Sequence, residues 1–346
     1  MKIKTVAVED AVGIPLSHDL TLIDPESNYK GARFKKGHVV REEDIKLLKR
    51  MGREHLSILD LDEGEVHEDD AALRVAKLMS GAHFSVKGPS EGKCSLVADK
   101  GGLLLFEEEA VHGINSDKNW VFATLPNKLP VSAGETVAAW RVGPLVVGEE
   151  TVRHAERLAR PFELLPFIPL KTALVTTGRE IWEGRVKDAF LGKLEKKLEL
   201  YGAPLIGHET VPDDKGAIKS CIENWIGKGA EVVFCTGGMS VDADDLTPAA
   251  IRDAAAEVIF RGTPVLPGSN LMLAKKDRTI LLGVPACAVH AEITVLDTVM
   301  NKIYAGLIPA ESEVRRWGVG GLCRGCEPCN YPTCRFGCPG GASVHR

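Results

Sequence analysis

The sequence predicts an α/β protein: a layered, mostly parallel sheet in the carboxyl-terminal half, a small β-rich segment before it and a cysteine-rich tail after it. Three observations predict this. From Lys171 onward, short apolar runs alternate with stretches of helical periodicity, the pattern of parallel strands joined by crossover helices. Between about 81 and 160 the runs are short, rich in β-formers and punctuated by Gly, Pro and Asn. Five of the nine cysteines fall in the last 24 residues.

In chain order, Gly31 to Val40 reads as a turn and strand. Ile45, Leu47 and Leu48 stand at near-helical spacing before Gly52, and 55–61 reads as a strand. Residues 68–79 form a short amphipathic helix stopped by Ser80-Gly81. Strands follow at 103–106, 120–125, 136–142 and 144–147, then a connecting helix at 151–158. Pro161, Pro166 and Pro169 stiffen the boundary. Beyond it, strands are expected at 172–176, 205–211, 232–235, 258–260 and 279–282. Helices are expected at 186–200, 215–226, 248–256 and 288–303. The division expected is 1–80, 81–165, 171–306 and a tail at 307–346.

At 346 residues the chain is long enough for two or three domains. A net charge of −5 and 5% aromatic residues give no nucleic-acid footprint. No run reaches the ~18 apolar residues of a membrane span, and the first residues carry acids where a secretion signal needs an apolar core. A cytoplasmic protein is the expectation. There is no GxxxxGK loop, no GxGxxG after a strand and no HExxH.

The chemistry concentrates in 231–248, EVVFCTGGMSVDADDLTP. An apolar strand ends at Thr236, Gly237 and Gly238; Ser240, Asp242, Asp244 and Asp245 follow; Thr247-Pro248 suits an N-cap and first helical position. Adjacent glycines let backbone N–H groups approach a ligand, and a helix N-terminus beside them favours an anion. Carboxylates next to a phosphate call for a cation such as Mg²⁺ between them.

Taken in order, Thr176-Thr177-Gly178 with Glu180, then Gly184, Val211-Pro212-Asp213-Asp214, Thr236-Gly237-Gly238-Met239-Ser240 with Asp245-Leu246-Thr247-Pro248, Pro267-Gly268 and Leu282-Gly283-Val284-Pro285 resemble the molybdopterin-binding domain of molybdenum cofactor biosynthesis proteins. That domain is shared by molybdopterin adenylyltransferases and MoeA-type molybdenumtransferases. The resemblance covers about 171–306, and KGARFKKGHVVREEDIKLLKRMGREHLSIL is similar to the segment preceding it in MoeA-type proteins. It implies a three-layer fold that binds molybdopterin or its AMP adduct and assists Mg²⁺-dependent molybdate insertion. It implies catalytic roles for Asp213 and Asp245, and ligand contacts from Thr177, Gly178, Glu180, Thr236, Gly237, Gly238, Ser240, Asp242, Pro267, Gly268 and Pro285. For Asp242 and Asp244, solvated loop acids are an equal alternative. It also implies a homodimer and a molybdoenzyme or pathway partner. The sequence departs from the family at Arg179, where an acid is usual; at Ser269-Asn270, where PGKP supplies a lysine; and at Ala286-Cys287. Those departures keep a second reading open: a non-catalytic carrier, sensor or chaperone for the pterin.

The tail reads Cys323-x2-Cys326-x2-Cys329-x4-Cys334-x3-Cys338. Gaps of two to four residues let thiolates converge on Zn²⁺ or an iron–sulfur cluster, and the spacing does not choose between them. A docking surface or an unstructured tail with reactive thiols are the alternatives. The histidines are dispersed, and none is singled out.

Overall fold

The computed structural model describes residues 2–24, 29–239, 245–334 and 336–337. The chain divides into two compact units, one of Met1–Lys100, Phe106–Leu125 and Ala133–Leu164, the other of Gly101–Leu105, Pro126–Ser132 and Leu165–Arg346. Residues 1–80 thus cluster with most of 81–164. The described tail clusters with the α/β half, as do two short pieces from the middle of the chain. These two pieces pair with each other: Gly102–Leu105 lies antiparallel to Pro130–Val131.

In the first unit, strand Lys2–Ala7 pairs antiparallel with His55–Asp60. Val8, Leu16, Leu20, Phe34, Val40, Leu48 and Leu56 form a small core beside them. A four-stranded antiparallel sheet follows, ordered Phe84–Ser90, Lys93–Ala98, Thr136–Val142, Trp120–Thr124. Helix Glu68–Met79 packs on it, and Trp140 Nε1 donates to Ala72 O at 3.1 Å. The β-rich expectation for this region omitted one element, helix Glu108–Asn115, which buries Ala110, Val111 and Ile114 at i, i+1, i+4 spacing.

The second unit is built on six strands: β1 (Thr172–Thr177), β2 (Leu205–Val211), β3 (Val232–Thr236), β4 (Glu257–Arg261), β5 (Met272–Lys276) and β6 (Thr279–Val284). Their spatial order is β2-β1-β3-β6-β5-β4. The β1–β2, β1–β3 and β3–β6 pairs are parallel, whereas β5 pairs antiparallel with both β6 and β4. The sheet is therefore mixed. Strand β5 was not foreseen: a tight turn at Asp277 (φ +52°) folds it back on β6, which makes that edge antiparallel.

The helices around this sheet include α1 (Arg179–Trp182), α2 (Leu191–Glu199), α3 (Lys215–Gly227), α4 (Thr247–Ala254) and α5 (Val295–Tyr304). Strand alternation sends Leu174, Phe234 and Leu282 to one face, where they join Leu194 and Leu198 of α2 and Val299, Met300 and Ile303 of α5. Ala173, Val175, Val233, Cys235 and Leu281 point the other way, to Ile218 and Ile222 of α3 and Ala250 and Ile251 of α4. Helices on both faces explain why these strands read as unbroken apolar runs.

Two expected helices are shorter than their periodicity suggested. The one expected at 186–200 starts at Leu191, because Asp188 Oδ1 accepts the Phe190 N–H at 2.7 Å and fixes the entry. The one expected at 288–303 splits into a 3₁₀ turn, Ala286–Val289, and α5. A capping box starts α5: Thr294 Oγ1 accepts the Leu296 N–H and Asp297 accepts the Thr294 N–H.

Candidate functional site

Three of the family-like segments converge because parallel strands deliver their carboxyl ends to one edge. β1 ends at Thr177, β2 at Val211 and β3 at Thr236. Thr177 and Thr236 are buried, and Gly178, Pro212-Asp213 and Gly237-Gly238 begin the loops beyond.

The first and third loops touch. Gly237 has φ +84°, and a Cβ there would stand 2.1 Å from Thr177 O and 2.5 Å from Thr177 Oγ1. Only glycine fits both the angle and the space. Gly238 (φ +52°) lies over the start of α4, where its Cβ would meet Thr247 Oγ1 at 3.1 Å and Asp245 Oδ1 at 3.7 Å. Thr247 and Thr177 share a hydroxyl contact of 3.3 Å. Thr247 was expected to cap α4. It is instead the first helical residue, Leu246 occupies the N-cap with no side-chain bond, and Pro248 follows in the first turn. The Thr247 hydroxyl is turned to Thr177, and the helix starts against the glycine loop.

The second loop joins through Asp213, whose Oδ2 accepts the Arg179 N–H at 2.9 Å. Its neighbour Asp214 is spent on α3, capping the Ala217 N–H at 2.7 Å. Glu180 turns back over Gly178: a Cβ on Gly178 would lie 3.3 Å from Glu180 Oε1. The exposed Arg179 side chain pairs with Glu183 one helical turn on, at 3.0 Å. Ser240, Asp242, Asp244 and Cys338 lie outside the described residues.

Pro267, Gly268 and Pro285 meet in a cleft of about 300 Å³, completed by Met239, Asn270 and Cys287 among others. Met239, the residue after the double glycine, is buried because Gly283 has no side chain: a Cβ there would be 2.5 Å from Met239 Cε. Gly268 (φ +119°) presses on the start of α5, with Val295 Cγ1 2.6 Å from where its Cβ would be. The described lining holds no charged side chain. Burial pushes the Cys287 thiol up from its ordinary value, so it stays protonated at neutral pH.

Sequence reasoning passed over a polar cluster under the first loop. Thr176 donates to Asp188 Oδ2 at 2.6 Å, His208 Nε2 lies 3.1 Å from the same oxygen, and the Thr236 hydroxyl donates to Thr176 at 3.3 Å. Burial acts to raise the Asp188 carboxyl; hydrogen bonds from His208, Thr176 and the Phe190 amide outweigh it and hold it at about 2. The available signal was Asp188 itself, an acid placed just before an apolar helical face.

The tail is folded onto the α/β unit. Trp317 and Phe336 are buried in its core, Cys323 and Cys334 pack against it, and Asn301 Nδ2 donates to Tyr331 OH at 2.6 Å. The Leu266 N–H donates to Gly321 O, and the Leu266 carbonyl accepts the Cys323 N–H, both at 2.8 Å. Cys326 and Cys329 are exposed. Among the described residues no three His, Cys, Asp or Glu side chains converge as a metal site would require. The alternative of an unstructured tail does not hold for the described residues.

A family profile described as a "probable molybdopterin binding domain" matches residues 173–304. Those residues belong to the molybdopterin-binding domain family. A second profile, a domain of unknown function (DUF8806), matches residues 5–60, which include the segment 30–59 likened above to MoeA-type proteins. The chain is similar to a CinA-like protein of Syntrophus aciditrophicus, 32% identical over 97 residues (28% of this chain). It is also similar to a molybdopterin molybdenumtransferase of Synechococcus elongatus, 24% identical over 142 residues (38% of this chain). The chain spans only 23% and 35% of those two proteins. Among solved structures, the molybdopterin biosynthesis enzyme MoaB of Thermus thermophilus matches 40% of this chain and 98% of its own, at 18% identity and a TM-score of 0.34. Among the described residues no helix is long and apolar enough to cross a membrane.

Proposed function

We propose that the domain binds molybdopterin, or its AMP adduct, at the carboxyl edge of β1, β2 and β3 and assists molybdate insertion as a cytoplasmic molybdenumtransferase. One observation carries the reading: Thr177-Gly178, Asp213, Gly237-Gly238 and Asp245 share this edge with the start of α4. The positive-φ glycines bring main chain within reach of a bound group, and the α4 N-terminus favours its negative charge. The cleft at Met239, Asn270 and Pro285 suits a heterocycle: apolar walls with few polar groups, at the small end of ligand sites.

Under this reading Mg²⁺ would be held by Asp213 and Asp245. Asp213 and Asp245 are hard carboxylates on loops of the same edge, and Mg²⁺ is commonly held by one or two carboxylates plus water and substrate phosphate. When bound, the ion would neutralise charge on a phosphate anhydride. Asp213 holds the first loop through the Arg179 N–H, so it orients that loop as well. Zn²⁺ or an iron–sulfur cluster does not fit the four described tail cysteines, since Cys323 and Cys334 pack inward while Cys326 and Cys329 face out. No step is assigned to either.

A second reading has its own support. No charged side chain lines the described cleft. A site with few cations suits retention by a carrier as well as turnover. A homodimer and a molybdoenzyme or pathway partner belong to either reading.

The deciding experiment mixes anaerobic protein with molybdopterin adenylate, Mg²⁺ and molybdate and follows AMP. Molybdate-dependent release, lost in Asp245→Ala, supports the transferase. Tight retention without release supports the carrier. Absence of binding refutes both.

A further inference from the structure

We propose that Asp188, acting through Thr176 and His208, is the positioning residue of the first binding loop. The inference rests on the ligand edge described above.

Asp188 sits at a closure point. Its side chain is 8% exposed and receives donors from three elements. Oδ1 takes the N–H groups of Phe190 (2.7 Å) and Leu191 (3.4 Å) at the start of α2. Oδ2 takes the Thr176 hydroxyl on β1 (2.6 Å) and faces His208 Nε2 on β2 (3.1 Å). With the Thr176 hydroxyl donated to Asp188, the 3.0 Å contact from His208 Nε2 to Thr176 requires an N–H on that nitrogen. One carboxylate therefore ties the end of β1 to the start of α2. These are the two feet of the excursion 177–187, which carries Gly178, Glu180 and the half-exposed Trp182.

The clamp reaches the other glycine loop as well. Thr176 and Thr236 are register partners, and their hydroxyls are bonded. The next residues along, Thr177 and Gly237, are the pair whose backbones meet without room for a Cβ. Alternation turns the Thr176 side chain to the opposite face from that of Thr177, which meets Thr247. The loop base is thus pinned from both faces of the sheet, by a charged cluster on one and a hydroxyl pair on the other. Asp188 touches no proposed ligand group; it sets where the Gly178 and Arg179 amides stand.

The test compares Asp188→Asn, which keeps shape but removes the charge and one of the two acceptor oxygens, and Thr176→Val, which removes the hydroxyl, with Thr176→Ser, which keeps it. The ligand-free readout is hydrogen exchange of amides 177–182, with α3 amides as the internal control. The ligand readout is the affinity for molybdopterin. Loss of one charge-assisted bond should speed exchange at 177–182 and weaken molybdopterin by about tenfold or more, with α3 unchanged and Thr176→Ser near the unaltered protein. Unchanged exchange in both Asp188→Asn and Thr176→Val would overturn the clamp, as would a Thr176→Ser protein that behaves like Thr176→Val. Faster exchange in a protein that never bound molybdopterin would support the clamp and refute the ligand reading instead.

Discussion

Gly237→Ala tests the point where the two glycine loops meet. The added Cβ would lie 2.1 Å from Thr177 O, more than an ångström inside ordinary contact, and the obstacle is main chain at a buried strand end. The residue would also sit at φ +84°. Positive φ costs an L-residue ~1–2 kcal/mol, and overpacking adds ~1–3 kcal/mol. Two controls separate the terms. Gly184 has φ +73° with nothing within 4 Å, so Gly184→Ala carries the backbone cost alone. Gly238→Ala adds a 3.1 Å contact with the Thr247 hydroxyl, which can rotate. The expected order of destabilisation is Gly184→Ala, then Gly238→Ala, then Gly237→Ala, the last about 2–5 kcal/mol. Calorimetry on the transition of the α/β unit reads this as a fall of about 5–15 °C in Tm for Gly237→Ala. Equal Tm values for Gly237→Ala and Gly184→Ala would refute the close approach, and with it the juxtaposition on which the ligand edge depends.

Neighbouring acids should separate by role. Asp213→Asn should abolish AMP release with Tm within about 2 °C, whereas Asp214→Ala should lose its α3 cap, about 1 kcal/mol, and keep activity. Removing Mg²⁺ with a chelator should weaken binding of molybdopterin adenylate at least about tenfold, since no cationic side chain in the described cleft would share the anionic charge. In the first unit, burial first and Asp69 second push the Glu68 carboxyl up to about 7. The folded state therefore binds this proton more tightly than the unfolded chain. The group's favourable term is complete below about 4.5 and is lost as pH rises through about 7. Glu68→Gln should leave stability unchanged near pH 4 and raise it by about 1–3 kcal/mol at pH 8, measured by urea unfolding. Thiol labelling with mass spectrometry should find Cys326 and Cys329 reactive in the native protein. Cys94, Cys221 and Cys235 are buried with raised thiol values and should react only on unfolding. Exposure of Cys326 and Cys329 only after chelation would restore the metal reading of the tail.

The α/β half was legible because its signals are local. A parallel strand buried on both faces is an unbroken apolar run, and Val232 to Cys235 can be little else. The glycine loops were legible for a similar reason: two adjacent glycines after a buried strand have few other uses. What escaped depends on contacts distant in sequence. Strand β5 follows a loop, and nothing in Met272–Lys276 says which neighbour it joins. Asp188, His208, Thr176 and Thr236 are ordinary residues one at a time, and only the β1–β2 and β1–β3 pairings make them a cluster. The packing of the tail was not legible because cysteine spacing is a local signal, while its anchors are long-range: Tyr331 to Asn301, Phe336 in the core and Cys323 to Leu266.

The departures from the family pattern are not spread evenly over the site. The segments that are held by backbone geometry, Thr177-Gly178 and Gly237-Gly238, have the residues the resemblance requires, and the close approach at Gly237 shows why a substitution there would disturb both loops. Of the changed positions, Arg179 follows the first loop's glycine, where its N–H is held by Asp213, whereas Ser269-Asn270 and Ala286-Cys287 line the cleft. A fold needs its loop bases fixed, whereas cleft walls can change chemistry without moving a strand. The cation of PGKP is absent from the described lining of this cleft, the acids at the loops remain, and the Cys323 N–H donates to the carbonyl of Leu266, a lining residue. On the proposed function, charge for an anionic ligand would come from backbone dipoles and from a metal held by the acids. Under that arrangement the choice between turnover and retention falls to the two carboxylates, Asp213 and Asp245. That is why their substitution, more than any change in the cleft, separates the two readings.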